Sequence, residues 1–251
     1  MTEQATAETM ETKKRPVCYA HRGARARAPE NTLLAFRLAF DLGANAVECD
    51  VQRSRDGRLV IIHDGTVDRT TDGCGWVAEM SFAELRGLNV GRGERIPTLE
   101  ETLALARERG GGVNLEVKGE SVAEALETAE ALMAALRGLE EGMRVRVLVS
   151  SFAHPAIALL KARLPWLRTG ALFGDEWRGR DLLAPALAVG AEAIHPGLRL
   201  VTPELVRRVH DAGLAVNVWT VNRPAVMRRL IAWGVDGIFS DYPERVVAAR
   251  G

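Results

Sequence analysis

Short β-prone runs and segments of helical periodicity alternate along almost the whole chain. The segment from about Thr32 to Leu42, closed by Gly43, is one such helix, and the capping box from Thr98 to Glu101 opens another. The predicted strands are Val17–Ala20, Ala46–Val51, Val113–Val117, Val145–Val149, Thr169–Phe173, Ala193–His195, Ala215–Trp219 and Gly237–Ser240. Eight strands, each followed by a helix, predict an α/β fold of the (β/α)8 TIM barrel type, with function at the carboxyl ends of the strands. A doubly wound open sheet shows the same alternation and is the alternative.

One segment departs from this alternation. Residues 65–96 are rich in glycine and polar side chains, with a single short helix predicted at Ser81–Leu88. We predict a small insertion that follows a hairpin extending the second strand and lies over the mouth of the barrel. Residues 1–15 are polar and charged without an apolar stretch, which predicts a disordered leader and a single catalytic barrel domain over residues 16–251.

Composition excludes several classes of protein. Lys and Arg number 33, as do Asp and Glu, so the zero formal net charge argues against a nucleic-acid partner. No apolar run is long enough to span a bilayer, so stable membrane insertion is not expected. The three cysteines, Cys18, Cys49 and Cys74, form no CxxC pair, which predicts a reducing, cytoplasmic location.

Two carboxylates lie within the second strand. Because strand residues alternate faces, Glu48 and Asp50 share one side. Asp56-Gly57 separates this strand from a second β-prone run that ends in His63, which predicts a hairpin with a two-residue loop. In that register Asp50 lies directly opposite His63, so two acids and an imidazole share one face. Such burial is costly unless a cation or a reaction requires it.

Other polar side chains follow the ends of other predicted strands. Asn114, Glu116 and Lys118 alternate with apolar residues and are predicted to face the barrel interior. With Glu48 and Asp50, Glu116 completes three hard oxygen ligands, a set that suits Mg2+ or Ca2+ better than zinc. The alternative is that the three acids form structural salt bridges with Arg22 and Lys118.

Two histidines at this rim have partners in the sequence. His21 and His63 are the natural acid–base pair, because imidazole titrates near neutrality. Arg22 and Lys118 supply positive charge suited to phosphate. Trp219 either stacks on a substrate's carbon skeleton or belongs to the core. His195 also ends a strand, but the sequence offers it no partner and no role. The set describes a site for a phosphate diester.

These motifs resemble the glycerophosphodiester phosphodiesterases, a family of TIM-barrel enzymes. The resemblance covers nearly the whole chain after the leader. The matching motifs are His21-Arg22-Gly23, Pro29-Glu30-Asn31-Thr32, Glu48-x-Asp50, His63-Asp64, Asp68-Arg69-Thr70-Thr71-x-Gly73, Ile96-Pro97-Thr98-Leu99, Glu116-x-Lys118, Val218-Trp219-Thr220-Val221-Asn222 and Gly237-Ile238-x-x-Asp241-x-Pro243. It implies a divalent cation on Glu48, Asp50 and Glu116, His21 and His63 as general acid and base, and Arg22 and Lys118 on the phosphate.

The expected activity is therefore metal-dependent hydrolysis of small glycerophosphodiesters to an alcohol and sn-glycerol 3-phosphate. Hydrolysis of longer lipid phosphodiesters, a lysophospholipase D activity, is the alternative within the same class. A lyase using Lys118 as a Schiff base is a second alternative, and a binding module without chemistry is the non-enzymatic one. Monomer and homodimer are both compatible with the sequence.

Overall fold

The computed structural model describes residues 15–251, and its elements follow the predicted alternation. Within this part of the chain the strands are β1 (Val17–Ala20), β2 (Ala46–Arg53), β3 (Leu59–Ile61), β4 (Gly112–Val117), β5 (Val147–Ser151), β6 (Arg168–Phe173), β7 (Ala193–Pro196), β8 (Ala215–Val218) and β9 (Gly237–Ser240). The α-helices are α1 (Leu33–Asp41), α2 (Phe82–Gly87), α3 (Leu99–Glu108), α4 (Val122–Arg137), α5 (Glu141–Arg144), α6 (His154–Arg163), α7 (Leu183–Ala188), α8 (Pro203–Asp211), α9 (Pro224–Trp233) and α10 (Pro243–Ala249). Residues 1–14 of the predicted leader lie outside the described residues.

Eight parallel strands close into a barrel. Their order around the sheet runs β1, β9, β8, β7, β6, β5, β4 and β2, and β2 pairs back onto β1. Within residues 15–251, β3 is the one antiparallel strand of the sheet: it pairs with β2, and its Val60 forms an isolated antiparallel bridge with Thr98. The predicted (β/α)8 TIM barrel is thus confirmed, and the open doubly wound sheet is excluded because its end strands would not meet.

The fifth strand begins later than predicted. The sequence placed its start at Val145, whereas Val145 follows the short helix α5 and β5 begins at Val147. The side chain at Val145 is 66% exposed, so this β-branched residue does not join the buried strand. A β-branched residue alone is therefore a weak marker of where a strand begins.

The hairpin register differs by one residue from the prediction. Leu59 lies opposite Arg53 and Ile61 opposite Val51, so Asp50 lies opposite Ile62 and not His63. The loop has three residues, because the N–H of Ser54 donates to the carbonyl of Arg58 (2.9 Å). Only the glycine of Asp56-Gly57 has a positive φ (80°), which fits a turn followed by a left-handed glycine and not the two-residue loop.

His63 reaches the same face by another route. β3 ends at Ile61, so the chain has left the ladder before His63 and the strand alternation no longer sets the direction of its side chain. Nε2 of Gln52 donates to the carbonyls of Ile62 (3.2 Å), His63 (2.9 Å) and Asp64 (2.6 Å). This amide holds the departing segment at the rim of the barrel.

Two large apolar clusters join the strands to the helices, and the insertion has a cluster of its own. Val47, Cys49 and Val51 belong to the first of them, which leaves the alternate residues of β2 for the interior. In the insertion, apolar side chains from the hairpin and from residues 67–96 pack together: Val60, Ile62, Val67, Val77, Leu85 and Ile96. Among residues 15–251, no helix has both the length and the apolar character needed to cross a membrane.

Candidate active site

A cavity of about 60 Å3 opens at the carboxyl ends of the barrel strands. Seven of the eight predicted site residues line it, and the eighth, Asp50, lies buried beside them. The lining comprises His21, Arg22, Glu48, His63, Asn114, Glu116, Lys118, Ser150, Phe152, Leu172, His195, Trp219 and Phe239. Barrel closure therefore brings together residues that are far apart in sequence.

The three predicted acids form one buried cluster. The parallel register of β2 and β4 places Asp50 beside Glu116 and Glu48 beside Asn114, all on the interior face. One carboxylate oxygen from each acid lies within 4.8 Å of the other two. Lys118 is the counter-charge from the same strand end: its Nζ lies 3.1 Å from Oδ1 of Asp50 and also contacts Glu116.

The neighbouring charges shift the pKa values of Glu48 and Asp50 in opposite directions. Burial, together with the negative charges of Asp50 and Glu116, raises the pKa of Glu48 well above its usual range. Burial acts in the same direction on Asp50, but the charges of Lys118 and Arg22 outweigh it and hold the pKa of Asp50 below its usual range. Without an added positive charge, the cluster thus favours a proton on Glu48.

The residues present fit a divalent cation. Oε1 of Glu48 is buried and has no hydrogen-bond partner among the described residues, although it faces two other carboxylates. An unpaired carboxylate oxygen at this depth is unfavourable unless a cation or a proton binds it. Three hard oxygen donors without a thiolate or imidazole are the ligands that Mg2+ and Ca2+ prefer.

Each of the two histidines is held by its own carboxylate. Nδ1 of His21 lies 2.7 Å from Oδ1 of Asp241, whose Oδ2 accepts a hydrogen bond from Asn222 (2.7 Å). Nδ1 of His63 lies 2.6 Å from Oδ1 of Asp64. A carboxylate on Nδ1 fixes the tautomer of an imidazole and leaves Nε2 free for a substrate.

Specific neighbours shift the pKa values of His63 and of its partner Asp64. Burial lowers the pKa of His63, and Lys118 and Arg22 lower it further against the opposing charge of Asp50. A hydrogen bond from Arg69 lowers the pKa of Asp64 to about 2, so its carboxylate is ionised at neutral pH. His63 therefore faces a carboxylate that keeps its charge.

Two residues with left-handed backbone conformation contact the acids of the cluster. Arg22 (φ 54°) and Asn31 (φ 55°) adopt this conformation, and the N–H of Asn31 donates to the carbonyl of Arg22 (3.0 Å). Each also binds an acid of the cluster. The N–H of Arg22 donates to Glu48 (2.8 Å), and Nδ2 of Asn31 donates to Asp50 (2.8 Å). Strained backbone of this kind often marks a functional site.

Gly23 allows the turn after His21 to pack against α1. Its φ is 80°, and a Cβ added there would lie 2.7 Å from the carbonyl carbon of Ala35. Gly57 has the same φ, but a Cβ there would meet no atom within 4 Å. We expect Gly23→Ala to lower the free energy of unfolding by about 1–3 kcal/mol more than Gly57→Ala does. Urea titration of both variants measures this difference, and equal losses would contradict it.

Lys118 is charged in this environment. Burial acts to lower its pKa, but the charges of Glu116 and Asp50 outweigh burial and the pKa is raised. A lysine that forms a Schiff base needs a lowered pKa, so that the free amine is present near neutral pH. The surroundings of Lys118 suit a fixed positive charge instead.

An apolar wall faces the charged residues across the cavity. Phe152, which is 45% exposed, contacts Trp219 edge to face at 5.4 Å between ring centroids. Nε1 of Trp219 donates to the carbonyl of His195 (2.7 Å), which fixes the indole. Trp219 is thus a half-buried residue that lines the cavity, and its stacking on a substrate stays a prediction.

The sequence offered no role for several residues that the structure places around the cavity. Asp64 and Asp241 orient the histidines, and Asn31 holds Asp50. His195 is fully buried at the cavity, where burial and the charge of Arg168 lower its pKa to about 3. It stays neutral and accepts a hydrogen bond from Asn217 (3.0 Å). Asp64, Asp241 and Asn31 all lie within motifs that carry the family resemblance, and these motifs are the feature of the sequence from which the three residues could have been identified.

Comparison with known proteins gives a consistent result. Residues 21–245 match the model of the glycerophosphoryl diester phosphodiesterase family. A glycerophosphodiester phosphodiesterase from Caldanaerobacter subterraneus is 39% identical over 239 residues, which is 91% of this chain and 95% of the relative. The structure of an Oleispira antarctica phosphodiesterase in complex with the product sn-glycerol-3-phosphate superposes with a TM-score of 0.86 at 32% identity, covering 93% of this chain and 96% of that one. A glycerophosphodiester phosphodiesterase from Thermotoga maritima gives a TM-score of 0.77 at 26% identity, over 93% and 97% of the two chains.

Proposed function

The chain belongs to the glycerophosphoryl diester phosphodiesterase family, and from that premise we propose that it hydrolyses glycerophosphodiesters to an alcohol and sn-glycerol 3-phosphate. The observation that carries the proposal is the shared cavity: two carboxylate-held histidines, two cationic side chains and two acids of the three-carboxylate cluster border it, and the third acid, Asp50, lies buried beside them. Water breaks the ester bond between the phosphate and the head-group alcohol, so the alcohol leaves with a proton and the phosphate stays on the glycerol.

Glu48, Asp50 and Glu116 are the proposed ligands of a divalent cation, Mg2+ or Ca2+. When bound, such a cation polarises a phosphoryl oxygen and offsets negative charge. The buried position of the three acids on adjacent strands supports this assignment, since nothing else among the described residues binds Oε1 of Glu48.

His21 and His63 are the proposed acid–base pair. One imidazole accepts the proton of the nucleophile, and the other protonates the departing alkoxide. Asp241 and Asp64 hold Nδ1 of the two rings, so Nε2 of each carries the proton transfer. Arg22 and Lys118 line the same cavity as the histidines and offset charge that develops on the phosphoryl oxygens. Trp219 and Phe152 are the proposed apolar surface for the substrate's carbon atoms.

One feature distinguishes this proposal from the lyase alternative. The ion pairs of Lys118 with Asp50 and Glu116 raise the pKa of its amine, which argues against a Schiff-base lyase. The proposed substrate is a small glycerophosphodiester, with no nucleic acid partner and no stable membrane insertion, and hydrolysis of lysophospholipids is the alternative that product analysis tests. The free cysteines support a cytoplasmic location, and residues 16–251 are the proposed catalytic domain.

Product analysis tests the proposed function. The purified protein with glycerophosphocholine and Mg2+ or Ca2+ is expected to release choline and sn-glycerol 3-phosphate in equal amounts. With lysophosphatidylcholine at the same concentration, choline is expected to be released much more slowly. Faster turnover of lysophosphatidylcholine would favour the lysophospholipase D alternative. Inactivation by borohydride, with no dependence on a cation, would favour the lyase.

A further inference from the structure

Glu30 lies at the centre of three guanidinium groups beside the cavity. Its side chain is 10% exposed. Oε1 accepts from Nη1 of Arg22 (2.9 Å) and from Nη2 of Arg69 (2.7 Å), while Nη2 of Arg25 approaches Oε2 to 3.3 Å. Burial acts to raise the pKa of Glu30, but Arg69, Arg22 and Arg25 outweigh it and the pKa is lowered. The group is therefore a permanent anion shared by three cations.

One arm of this cluster leads to His63. Arg69 binds Asp64 through two nitrogens, with Nε 2.5 Å from Oδ2 and Nη2 3.1 Å from Oδ1. The same Asp64 holds Nδ1 of His63 at 2.6 Å. A two-pronged guanidinium–carboxylate contact has defined geometry, which distinguishes it from an ordinary exposed ion pair. Glu30, Arg69, Asp64 and His63 therefore form one continuous series of polar contacts.

The other arm leads to His21. Nε of Arg25 lies 3.7 Å from Oδ1 of Asp241, and that oxygen is 2.7 Å from Nδ1 of His21. Arg25 thus spans from Glu30 to the carboxylate of the second histidine. The next arginine in the same loop, Arg27, binds Glu244 (2.6 Å) and none of the groups in this series. Two arginines that are two positions apart thus differ in whether they join the cluster.

We propose that Glu30 is the positioning residue that couples the two histidines, through Arg69 and Asp64 to His63 and through Arg25 and Asp241 to His21. Its negative charge keeps three mutually repelling guanidinium groups together. Loss of that charge releases Arg25 and Arg69 from a common anchor, so both orienting carboxylates lose a fixed counter-charge. Glu30 acts through these groups and touches no substrate.

Glu30→Gln tests the coupling, because it removes the charge at nearly constant size. The catalytic role of the histidines rests on the proposed function, so the first readout is independent of activity: NMR of the histidine rings, of which the chain has only five. We expect the ring resonances of both His21 and His63 to shift in Glu30→Gln. Arg25→Met is expected to shift mainly His21, and Arg69→Met mainly His63. Arg27→Met, the matched control from the same loop, is expected to shift neither.

Turnover is the second readout. Since misplacing catalytic groups commonly costs one to two orders of magnitude, Glu30→Gln is expected to lower kcat roughly tenfold to a hundredfold. Arg27→Met is expected to keep wild-type kcat, and thermal unfolding of each variant establishes that it is folded. Unshifted ring resonances, a shift of only one histidine, or equal effects of Arg25→Met and Arg27→Met would overturn the coupling. If both rings shift while wild-type protein releases no glycerol 3-phosphate, the coupling stands and the proposed function fails.

Discussion

His63→Ala is expected to lower kcat for glycerophosphocholine by about 10²–10⁴-fold while the protein stays folded. The imidazole lines the cavity, is partly exposed, and is held by Asp64 through Nδ1. Its removal deletes one proton-transfer group and creates little buried apolar cavity. The cation site is expected to survive, because none of the three acids makes a hydrogen bond to His63.

The matched control is His210→Ala. His210 pairs with Asp236 (2.8 Å) at the end of α8, away from the cavity lining. His210→Ala removes an imidazole that does not line the cavity, so the variant is expected to have wild-type kcat. A His63→Ala variant with kcat within a factor of about three of wild type would contradict the acid–base assignment, which requires the larger loss.

Glu48→Gln is expected to have opposite effects on stability and on turnover. Burial and two neighbouring carboxylates raise the pKa of Glu48, so the folded chain without a cation binds a proton that the unfolded chain releases. For a carboxyl with a raised folded pKa, stability falls as pH rises from the ordinary value of 4.5 toward the folded one. Glutamine has no proton to lose, so at pH 7 in EDTA the variant is expected to unfold at a higher temperature than wild type.

Addition of Mg2+ or Ca2+ is expected to reverse the order of the two unfolding temperatures, so that wild type unfolds at a higher temperature than Glu48→Gln. Ligand at about a hundred times its Kd stabilises a folded protein by roughly 2.7 kcal/mol, and only wild type retains all three carboxylates. The Tm of wild type should therefore rise with cation, while that of Glu48→Gln should not. Since a catalytic cation contributes several kcal/mol, kcat of the variant is expected to fall at least about a hundredfold. The control is Glu130→Gln, which changes an exposed residue of α4. A rise in the Tm of Glu48→Gln equal to that of wild type on addition of the cation would contradict the ligand assignment.

The barrel and the acid cluster could be predicted from sequence because both depend on short periodic patterns. Alternation within β2 and β4 is enough to place Glu48, Asp50 and Glu116 on interior faces. The pairing of β2 with β4 then places Asp50 beside Glu116. These features depend on local patterns and on the order of strands, which a single sequence carries.

The hairpin and the orienting carboxylates depend on information of another kind. Asp56-Gly57 is compatible with loops of two or three residues, and the choice shifts the partner of Asp50 by one position. Asp241 reaches His21 only because β9 pairs with β1 and closes the barrel. Glu30, which precedes α1, contacts Arg69 of the insertion, whose path has no periodic pattern. Such contacts depend on closure of the barrel and on the paths of its loops, so the spacing of residues in the sequence does not predict them.

The most direct test of metal-dependent hydrolysis is turnover of glycerophosphocholine by wild-type protein before and after removal of divalent cations. The carboxylate cluster and the histidines predict release of sn-glycerol 3-phosphate, loss of that release in EDTA, and its recovery on titration with Mg2+ or Ca2+. Release that continues unchanged in EDTA, or no release with any divalent cation present, would contradict metal-dependent hydrolysis by this site.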